Sequence, residues 1–320
     1  MIRFTVKRLL MMIPILIGVS VLVFGLLSFT PGDPAQIAIG SGATEEQLEL
    51  FREQNGLNDP LIVQYFNYML GFVRGNLGVS YQTKLTVGSM IASRVGTTLF
   101  LSFSSMFITV IVALLLGIGM AVKQNSVFDN IMRVLTIAFS SMPQFWLAIM
   151  LIMLFTVWLG WLPSTGLTSW KHCIMPLICL SVNGITMCAR TGRASMLEVL
   201  HKDYIKTARA KGFRMDYVIR RHALKNSLLP MITVYGRMVG HCFAGSVVVE
   251  SIFGINGLGQ MMTTGLRQKD IPVVMGSIII TAAIISVANL LTDIAYALVD
   301  PRIKARFFKK KTRKRPIGEA

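Results

Sequence analysis

The chain has 320 residues, of which 53% are hydrophobic and only 15% are charged, and its mean hydropathy is +0.61. This composition excludes an ordinary soluble domain and is typical of a membrane protein. The net charge of +17 raises the question of nucleic-acid binding, for which a basic surface is the usual footprint. We attribute the charge instead to basic residues that flank membrane spans on one side.

Six stretches are apolar enough to cross a hydrocarbon core of about 30 Å as helices. They cover residues 9–29, 95–122, 134 to about 160, 172–189, 226–249 with one interruption at Arg237, and 271–292. In lipid, a helix satisfies its own backbone hydrogen bonds, whereas an open sheet edge does not. The sequence therefore predicts an all-α fold, a polytopic membrane bundle of six transmembrane helices.

The distribution of lysine and arginine predicts the orientation of these spans. The N-terminus, the connection near Lys123 and Arg133, the segment 190–225 and the tail after Asp300 hold 24 of the 32 basic residues. These connections alternate along the chain, so they lie on one side. Both termini are therefore predicted to be cytoplasmic in a multi-pass protein of the cell (inner) membrane.

The spans divide the chain into four predicted parts. Residues 1–30 form the first span and residues 31–94 an extracytoplasmic loop, in which a capping box of Thr44 and Gln47 predicts a surface helix at 44–54. Residues 95–299 form a membrane domain of five helices, with a glycine-rich external turn at 250–270. Residues 300–320 form a basic cytoplasmic tail, interpreted as a disordered segment near anionic headgroups.

A basic segment between the fourth and fifth spans combines charge with helix-forming residues. Tyr204, Ile205 and Ala208 give a predicted helix at 203–211 a small apolar face, and Gly212 ends it. A second short helix is predicted at 215–222. A helix this short needs a packing partner, and small residues at 208 and 210 permit close approach. From the residues alone, a docking element and a surface loop kept basic by topology both stay open.

Several short motifs follow one another in an order found in one family of transport proteins. They are Pro31-Gly32-Asp33-Pro34, Gly56-Leu57 with Asp59-Pro60-Leu61, Gly75-Asn76-Leu77-Gly78, Tyr204 to Gly212, Phe253-Gly254 with Gly257-Leu258-Gly259, and Asp300-Pro301-Arg302-Ile303. Together they resemble the permeases of binding-protein-dependent ABC importers, in the branch that carries dipeptides, oligopeptides, glutathione or nickel. The chain departs from the family pattern at Lys206 and Thr207, which stand where the loop has Glu and Ala, and at Asn76 and Asn256.

The resemblance implies a type I ABC importer permease that works with a second homologous permease subunit, two ABC ATPase subunits and an extracytoplasmic substrate-binding protein. It implies that a cytoplasmic coupling loop at about 195–226 contacts the ATPase. The residues implied in this contact are Asp203, Tyr204, Thr207, Ala208, Arg209, Ala210, Lys211 and Gly212.

The chain carries no Gly-x-x-x-x-Gly-Lys-[Ser/Thr] motif to cradle phosphates. We therefore expect a transport subunit that is not an enzyme and binds no cofactor, with ATP and Mg on the partner ATPases. The four histidines show no metal-ligand spacing, so no metal site is predicted.

Arg237 and His241 are four residues apart on the fifth span and share one face. A charge within a span is costly and normally faces a polar cavity or a partner. We predict that these two residues lie on the translocation pathway, with pairing to an acidic residue as the alternative. Asp293 is predicted to be an interface or capping carboxylate.

The sequence leaves the cargo open. The favoured function is import of peptides, of the dipeptide, oligopeptide or glutathione type. The alternative cargo is nickel or a nickel chelate. A second alternative, an ion-coupled secondary transporter, is disfavoured because the spans contain few ionisable residues.

Overall fold

The computed structural model describes residues 2–40 and 42–299. Within these ranges the regular structure is helical, apart from one isolated bridge between Val79 and Thr86. The predicted all-α fold is confirmed. The motif at 300–303 and the charge run at 309–315 lie outside the described residues.

In chain order, the helices are α1 (Ile2–Phe29), α2 (Pro34–Ile39), α3 (Glu45–Gln54), α4 (Leu61–Val73), α5 (Val87–Val122), α6 (Val127–Ser141), α7 (Gln144–Ile152, extended by a π-helical stretch Met153–Trp158), α8 (Trp170–Leu200), α9 (Asp203–Ala210), α10 (Met215–Val218, followed by a π-helical stretch Ile219–Ala223), α11 (Leu224–Ile252), α12 (Leu258–Arg267) and α13 (Ile271–Val299).

Four of these helices are each long and apolar enough to cross a membrane, namely α1, α5, α8 and α13. Two further candidates are bent: α6 with α7 at 106°, and the two parts of α11 at 40°. With each bent pair counted as one span, the described residues contain the six predicted spans. We call the end that carries residues 201–223 the basic end, and the end where α1 stops and α5 starts the distal end.

The third span differs most from its prediction. The apolar run from 134 to about 160 was expected to form one helix, but the chain turns sharply between Ser141 and Gln144. Pro143 has no backbone N–H to continue the helix, and it disfavours helical geometry at the residue before it. Met142 accordingly adopts φ −81° and ψ 126°. The break therefore follows from a single proline.

The most extensive contact between two helices joins α5 and α8, and small residues allow it. A Cβ atom added at Gly117 would lie 2.9 Å from the carbonyl oxygen of Ala189, so the two backbones nearly touch. Ser181 Oγ donates a hydrogen bond to the Ser105 carbonyl at 3.2 Å. Close approach of small residues and hydrogen bonds across helices are the usual source of stability between membrane helices.

The segment 31–94 is shorter as a loop than predicted, because α5 begins at Val87. The predicted surface helix is confirmed as α3, with its capping box. The Gln47 backbone N–H lies 3.4 Å from Thr44 Oγ1, and the Thr44 N–H donates to Gln47 Oε1 at 3.0 Å. Two further helices, α2 and α4, make this segment a small folded unit at the distal end.

Two consecutive residues hold both ends of this unit against the bundle. The Lys269 ammonium donates to the carbonyl groups of Thr30, Pro31 and Gly32, at 2.8 Å for Thr30 and 2.9 Å for Gly32. The buried Asp270 carboxylate accepts from Ser80 Oγ at 2.5 Å. The turn before α13 thus fixes the unit where it leaves α1 and where it approaches α5.

At the basic end, α1 and α13 are joined by an ion pair. Arg8 Nη1 lies 2.5 Å from Asp293 Oδ2. Asp293 therefore lies at a helix interface, as predicted.

Residues 250–270 were predicted to be an external turn, but they contain the helix α12. The buried Glu250 carboxylate caps it, accepting from the Gly259 N–H at 2.6 Å and the Gln260 N–H at 3.2 Å. Thr98 Oγ1 of α5 donates to the same carboxylate at 2.7 Å. The helix start lies so close to α11 that a Cβ at Gly257 would lie 2.4 Å from the Glu250 carboxyl carbon.

This geometry predicts a high cost for one added methyl group. A Cβ at Gly259 would lie 2.4 Å from the Val247 Cα, a backbone atom. Gly259→Ala should therefore destabilise the protein by about 1–3 kcal/mol. Thermal unfolding in detergent checks this. Gly96→Ala is the matched control, because no atom lies within 4 Å of its added Cβ, and an unfolding midpoint of Gly259→Ala equal to that of the control would contradict the prediction.

Candidate functional site

The basic loop, residues 201–223, is held to its own chain by an apolar core. Ile205 and Ala208 of α9 are buried in one cluster with Val218 of α10. Ala121 at the end of α5 and Met196 near the end of α8 belong to the same cluster. Packing on these helix ends stabilises a helix that is too short to persist alone in water.

Gly212 ends α9 with φ +85°, a left-handed conformation that glycine adopts without strain. The predicted stop of the helix at this residue is confirmed. Lys206 Nζ lies 2.9 Å from Asp203 Oδ1, and this hydrogen bond lowers the pKa of Asp203. Tyr204 is tied to the start of α11, because its hydroxyl accepts from Asn226 Nδ2 at 3.0 Å.

The implied coupling residues separate into an outward and an inward group. Those that are exposed are Asp203, Tyr204, Thr207, Arg209, Ala210, Lys211 and Gly212. Ala208 points inward, so it supports the helix from below and offers no surface to a partner. Of the two small residues in α9, only Ala210 is exposed, so another protein can approach the helix closely at Ala210.

An exposed aromatic group beside α9 was not anticipated. The rings of Phe213 and Tyr217 stack with centroids 5.1 Å apart, and His222 lies edge-on to Tyr217 at 5.9 Å. Phe213 and Tyr217 are four residues apart, which is helical spacing. This spacing did not reveal the pair in the sequence, because Phe213 lies before the start of the helix that carries Tyr217.

A partly buried ion pair connects α8, shortly before the basic loop, to α6. Arg193 of α8 donates from Nε to Asp129 Oδ1 at 2.7 Å and from Nη2 to Oδ2 at 2.8 Å. Asp129 is fully buried and also accepts from the Asn125 N–H at 2.9 Å. This bidentate geometry fixes orientation as well as distance. Sequence reasoning missed the pair, because its members are 64 residues apart.

A cleft of about 1050 Å³ lies between α8 and α11, and residues on both sides of the bend between α6 and α7 also line it. Its polar wall residues come from four helices, α6, α7, α8 and α11. They are Ser140, Gln144, Asn183, Thr186, Arg190, Thr191 and His241. The cleft therefore offers amide, hydroxyl, imidazole and guanidinium groups to a polar solute.

His241 lies on the wall of this cleft and is exposed. The backbone of Arg237 lies one helical turn earlier on α11, but its side chain is outside the described residues. Arg190 was not predicted as a pathway residue, and the structure places it on the cleft wall. Its position at the end of the uncharged run 172–189 was the available signal.

Accessibility of a thiol tests this placement. His241→Cys should react readily with a water-soluble, membrane-impermeant thiol reagent in permeabilised vesicles, because the residue faces the open cleft. Val239→Cys on the same helix should not react, because Val239 is buried. Both variants are made in a Cys173→Ser background, because Cys173 is partly exposed, whereas the thiols of Cys179, Cys188 and Cys242 are buried. Equal labelling of both variants would contradict the cleft geometry.

The chain matches a known family over most of its length. Residues 113–305 match the binding-protein-dependent transport system inner membrane component, and residues 1–102 match the N-terminal region of the corresponding membrane component.

Individual relatives match over nearly the whole chain. The glutathione transport system permease protein GsiC of Escherichia coli (strain K12) is 38% identical over 304 residues, covering 95% of this chain and 99% of the relative. The protein of the same name from Shigella dysenteriae serotype 1 matches with the same identity and coverage.

Solved structures share the fold. Two inward-facing structures of the MetNI methionine ABC transporter match with TM-scores of 0.54 and 0.55, at 20% and 18% sequence identity. Each match covers 66% of this chain and 96% of the matched chain.

Proposed function

Because this chain belongs to the family of binding-protein-dependent transport system inner membrane components, we propose that it forms the membrane pathway for a peptide-type cargo, with glutathione as the first candidate. It is an integral membrane permease subunit of an ABC importer and not an enzyme. The observation that carries the cargo proposal is the 38% identity to a glutathione permease over 95% of the chain.

The chemistry of the cleft supports a peptide cargo. Its volume of about 1050 Å³ is at the upper end of the range of small-molecule sites. The Asn183 and Gln144 amides can pair with peptide groups, and the Arg190 guanidinium suits a carboxylate. Glutathione is a tripeptide with two carboxylates, so these groups match it.

Nickel as cargo is less well supported by the same wall. Nickel favours imidazole and other nitrogen ligands in a compact set, and His241 is the imidazole placed on the cleft wall. Among the described residues, no three His, Cys, Asp or Glu side chains lie close enough to hold a metal ion. The alternative considered from the sequence, an ion-coupled secondary transporter, is rejected because the chain belongs to an ABC permease family.

A permease of this family works with other ABC transporter subunits. We propose that they are a second homologous permease, two ATPases that bind ATP and Mg, and a substrate-binding protein. The positive-inside bias supports a cytoplasmic location for both termini and the basic loop. The unit formed by residues 31–86 then faces the binding protein.

We propose that the basic loop is the contact with the ATPase. Its outward surface combines polar and small residues of α9 with the exposed rings of Phe213 and Tyr217. Its inward residues Ile205 and Ala208 are packed on the ends of α5 and α8. A force applied to the loop is therefore passed to α8, which also lines the cleft. Rigid-body motion of such elements between two packings is a common basis of switching.

Uptake by the reconstituted transporter tests the cargo. Proteoliposomes with all proposed subunits should accumulate radiolabelled glutathione only with ATP and the binding protein. Arg190→Gln should lower this uptake about tenfold or more, because a hydrogen bond to a charged group contributes about 1.5–3 kcal/mol. Arg94→Gln, away from the cleft lining, is the matched control. Accumulation of nickel without glutathione would contradict the cargo but leave the permease assignment intact.

Crosslinking tests the ATPase contact. In the assembled complex, Ala210→Cys carrying a short photoactivatable crosslinker should capture the ATPase, because Ala210 is exposed on α9. Ala208→Cys should label poorly and capture little, because Ala208 is buried. Capture at neither position, or labelling of Ala210→Cys from outside intact cells, would contradict both the contact and the proposed orientation.

A further inference from the structure

The helix α4 presents an apolar face that contacts no other part of the described chain closely enough to be buried. Its sequence from Leu61 to Val73 contains no charged residue. Ile62, Phe66, Leu70 and Val73 are 71%, 64%, 52% and 80% exposed. Spacings of four, four and three residues put these side chains on one face of the helix. A single exposed apolar side chain is common on protein surfaces, but four large ones along one helix face mark a contact surface.

The opposite face of α4 packs on the membrane spans. Tyr65, Tyr68, Met69 and Phe72 contact a core cluster formed by Phe24 of α1 with Met275 and Ile279 of α13. The helix is therefore held firmly against the bundle. Its exposed face points away from the protein, into the same environment that surrounds the distal parts of α1 and α13.

Contacts with α1 show how deep α4 lies. The Tyr65 hydroxyl is 2.9 Å from Ser20 Oγ, and the Tyr65 ring lies 5.6 Å from the ring of Phe24. Ser20 lies nine residues before Phe29, the last residue of α1, which corresponds to about 13 Å along the helix axis at 1.5 Å per residue. The hydrocarbon core is about 30 Å thick. A tyrosine side chain is shorter than this distance between Ser20 and Phe29. The backbone of α4 near Tyr65 therefore lies closer to the middle of the bilayer than the end of α1 does.

The neighbouring surface of α1 is also apolar and exposed. Leu22, Leu26 and Phe29 of its distal half point outward, as expected for a span whose surroundings are lipid. The charges that flank α4, Asp59 and Arg74, lie beyond its two ends. Arg74 is exposed and long enough to reach a phosphate group while its stem stays on apolar surface.

We propose that the face formed by Ile62, Phe66, Leu70 and Val73 binds the acyl chains of the lipid leaflet at the distal end. α4 then lies along the interface plane with its exposed apolar face in the acyl-chain region, while its other face stays packed on α1 and α13. It anchors the unit 31–86 to the bilayer, whereas the hydrogen bonds donated by Lys269 and accepted by Asp270 hold that unit to the bundle. This inference depends on the membrane location of the chain and is independent of the cargo.

Fluorescence quenching tests the proposal in the complete transporter. In a Cys173→Ser background, Leu70→Cys is labelled with an environment-sensitive probe and reconstituted into vesicles of phosphatidylethanolamine and phosphatidylglycerol. Brominated acyl chains are the lipid quencher and iodide is the aqueous quencher. Leu26→Cys on α1 is the lipid-facing control, and Leu50→Cys on α3, also exposed, is the aqueous control.

The expected result is a blue-shifted emission for Leu70→Cys and quenching by brominated lipid comparable to that of Leu26→Cys, with little effect of iodide. Quenching by iodide as strong as for Leu50→Cys would overturn the proposal. Protection from both quenchers would also overturn it, because a protein partner would then cover the face. Ile62→Cys provides the same measurement if Leu70→Cys assembles poorly.

Discussion

The close packing of α8 on α5 determines where both candidate functional regions lie. α8 is one unbroken helix from Trp170 to Leu200, and it lines the cleft along its middle before it ends at the basic loop. Gly117 and Gly184 allow α5 to approach it closely, since a Cβ on either would lie within 3 Å of an atom of the facing helix. Tightly packed interfaces resist continuous deformation, so a displacement at the loop is transmitted along α8 as a unit.

The ion pair between Arg193 and Asp129 extends this mechanical connection to α6. A buried ion pair contributes little net stability, because desolvation offsets most of the attraction, but loss of one partner is strongly destabilising. Its more specific effect in this protein is geometric. It fixes the start of α6 relative to α8, while the bend at Pro143 leads the chain to Gln144 on the other side of the cleft. The positions of both cleft walls are therefore fixed relative to α8.

Hydropathy predicted the spans because a lipid environment leaves few alternatives to an apolar helix. The errors came from local chemistry within apolar or glycine-rich runs. Pro143 broke a span that composition alone could not divide, although a proline in such a run is itself a warning. The glycines around α12 suggested a turn, whereas Gly257 and Gly259 are there because the helix start lies against Glu250 and Val247.

Side-chain direction in the basic loop was also beyond the sequence. The pattern of Tyr204, Ile205 and Ala208 correctly indicated an apolar face, but an apolar face packs equally well on a partner or on its own chain. In the structure, Ile205 and Ala208 pack against other helices of the same chain. In the cleft, His241 was found because an ionisable residue in a span is conspicuous. Asn183 and Gln144 were missed because uncharged polar residues are common and their proximity depends on the tertiary fold.

The cleft also gives a physical reason for the second permease subunit proposed above. Asn183, Arg190 and His241 are exposed within stretches of α8 and α11 that are candidate membrane spans. A polar or charged side chain directed into hydrocarbon is costly, by roughly 2.5–3.5 kcal/mol for a single arginine on insertion scales. Water enclosed by a second protein surface removes that cost, and lipid does not. The polar wall therefore supports the proposal of an aqueous pathway shared with a second permease subunit opposite α8 and α11.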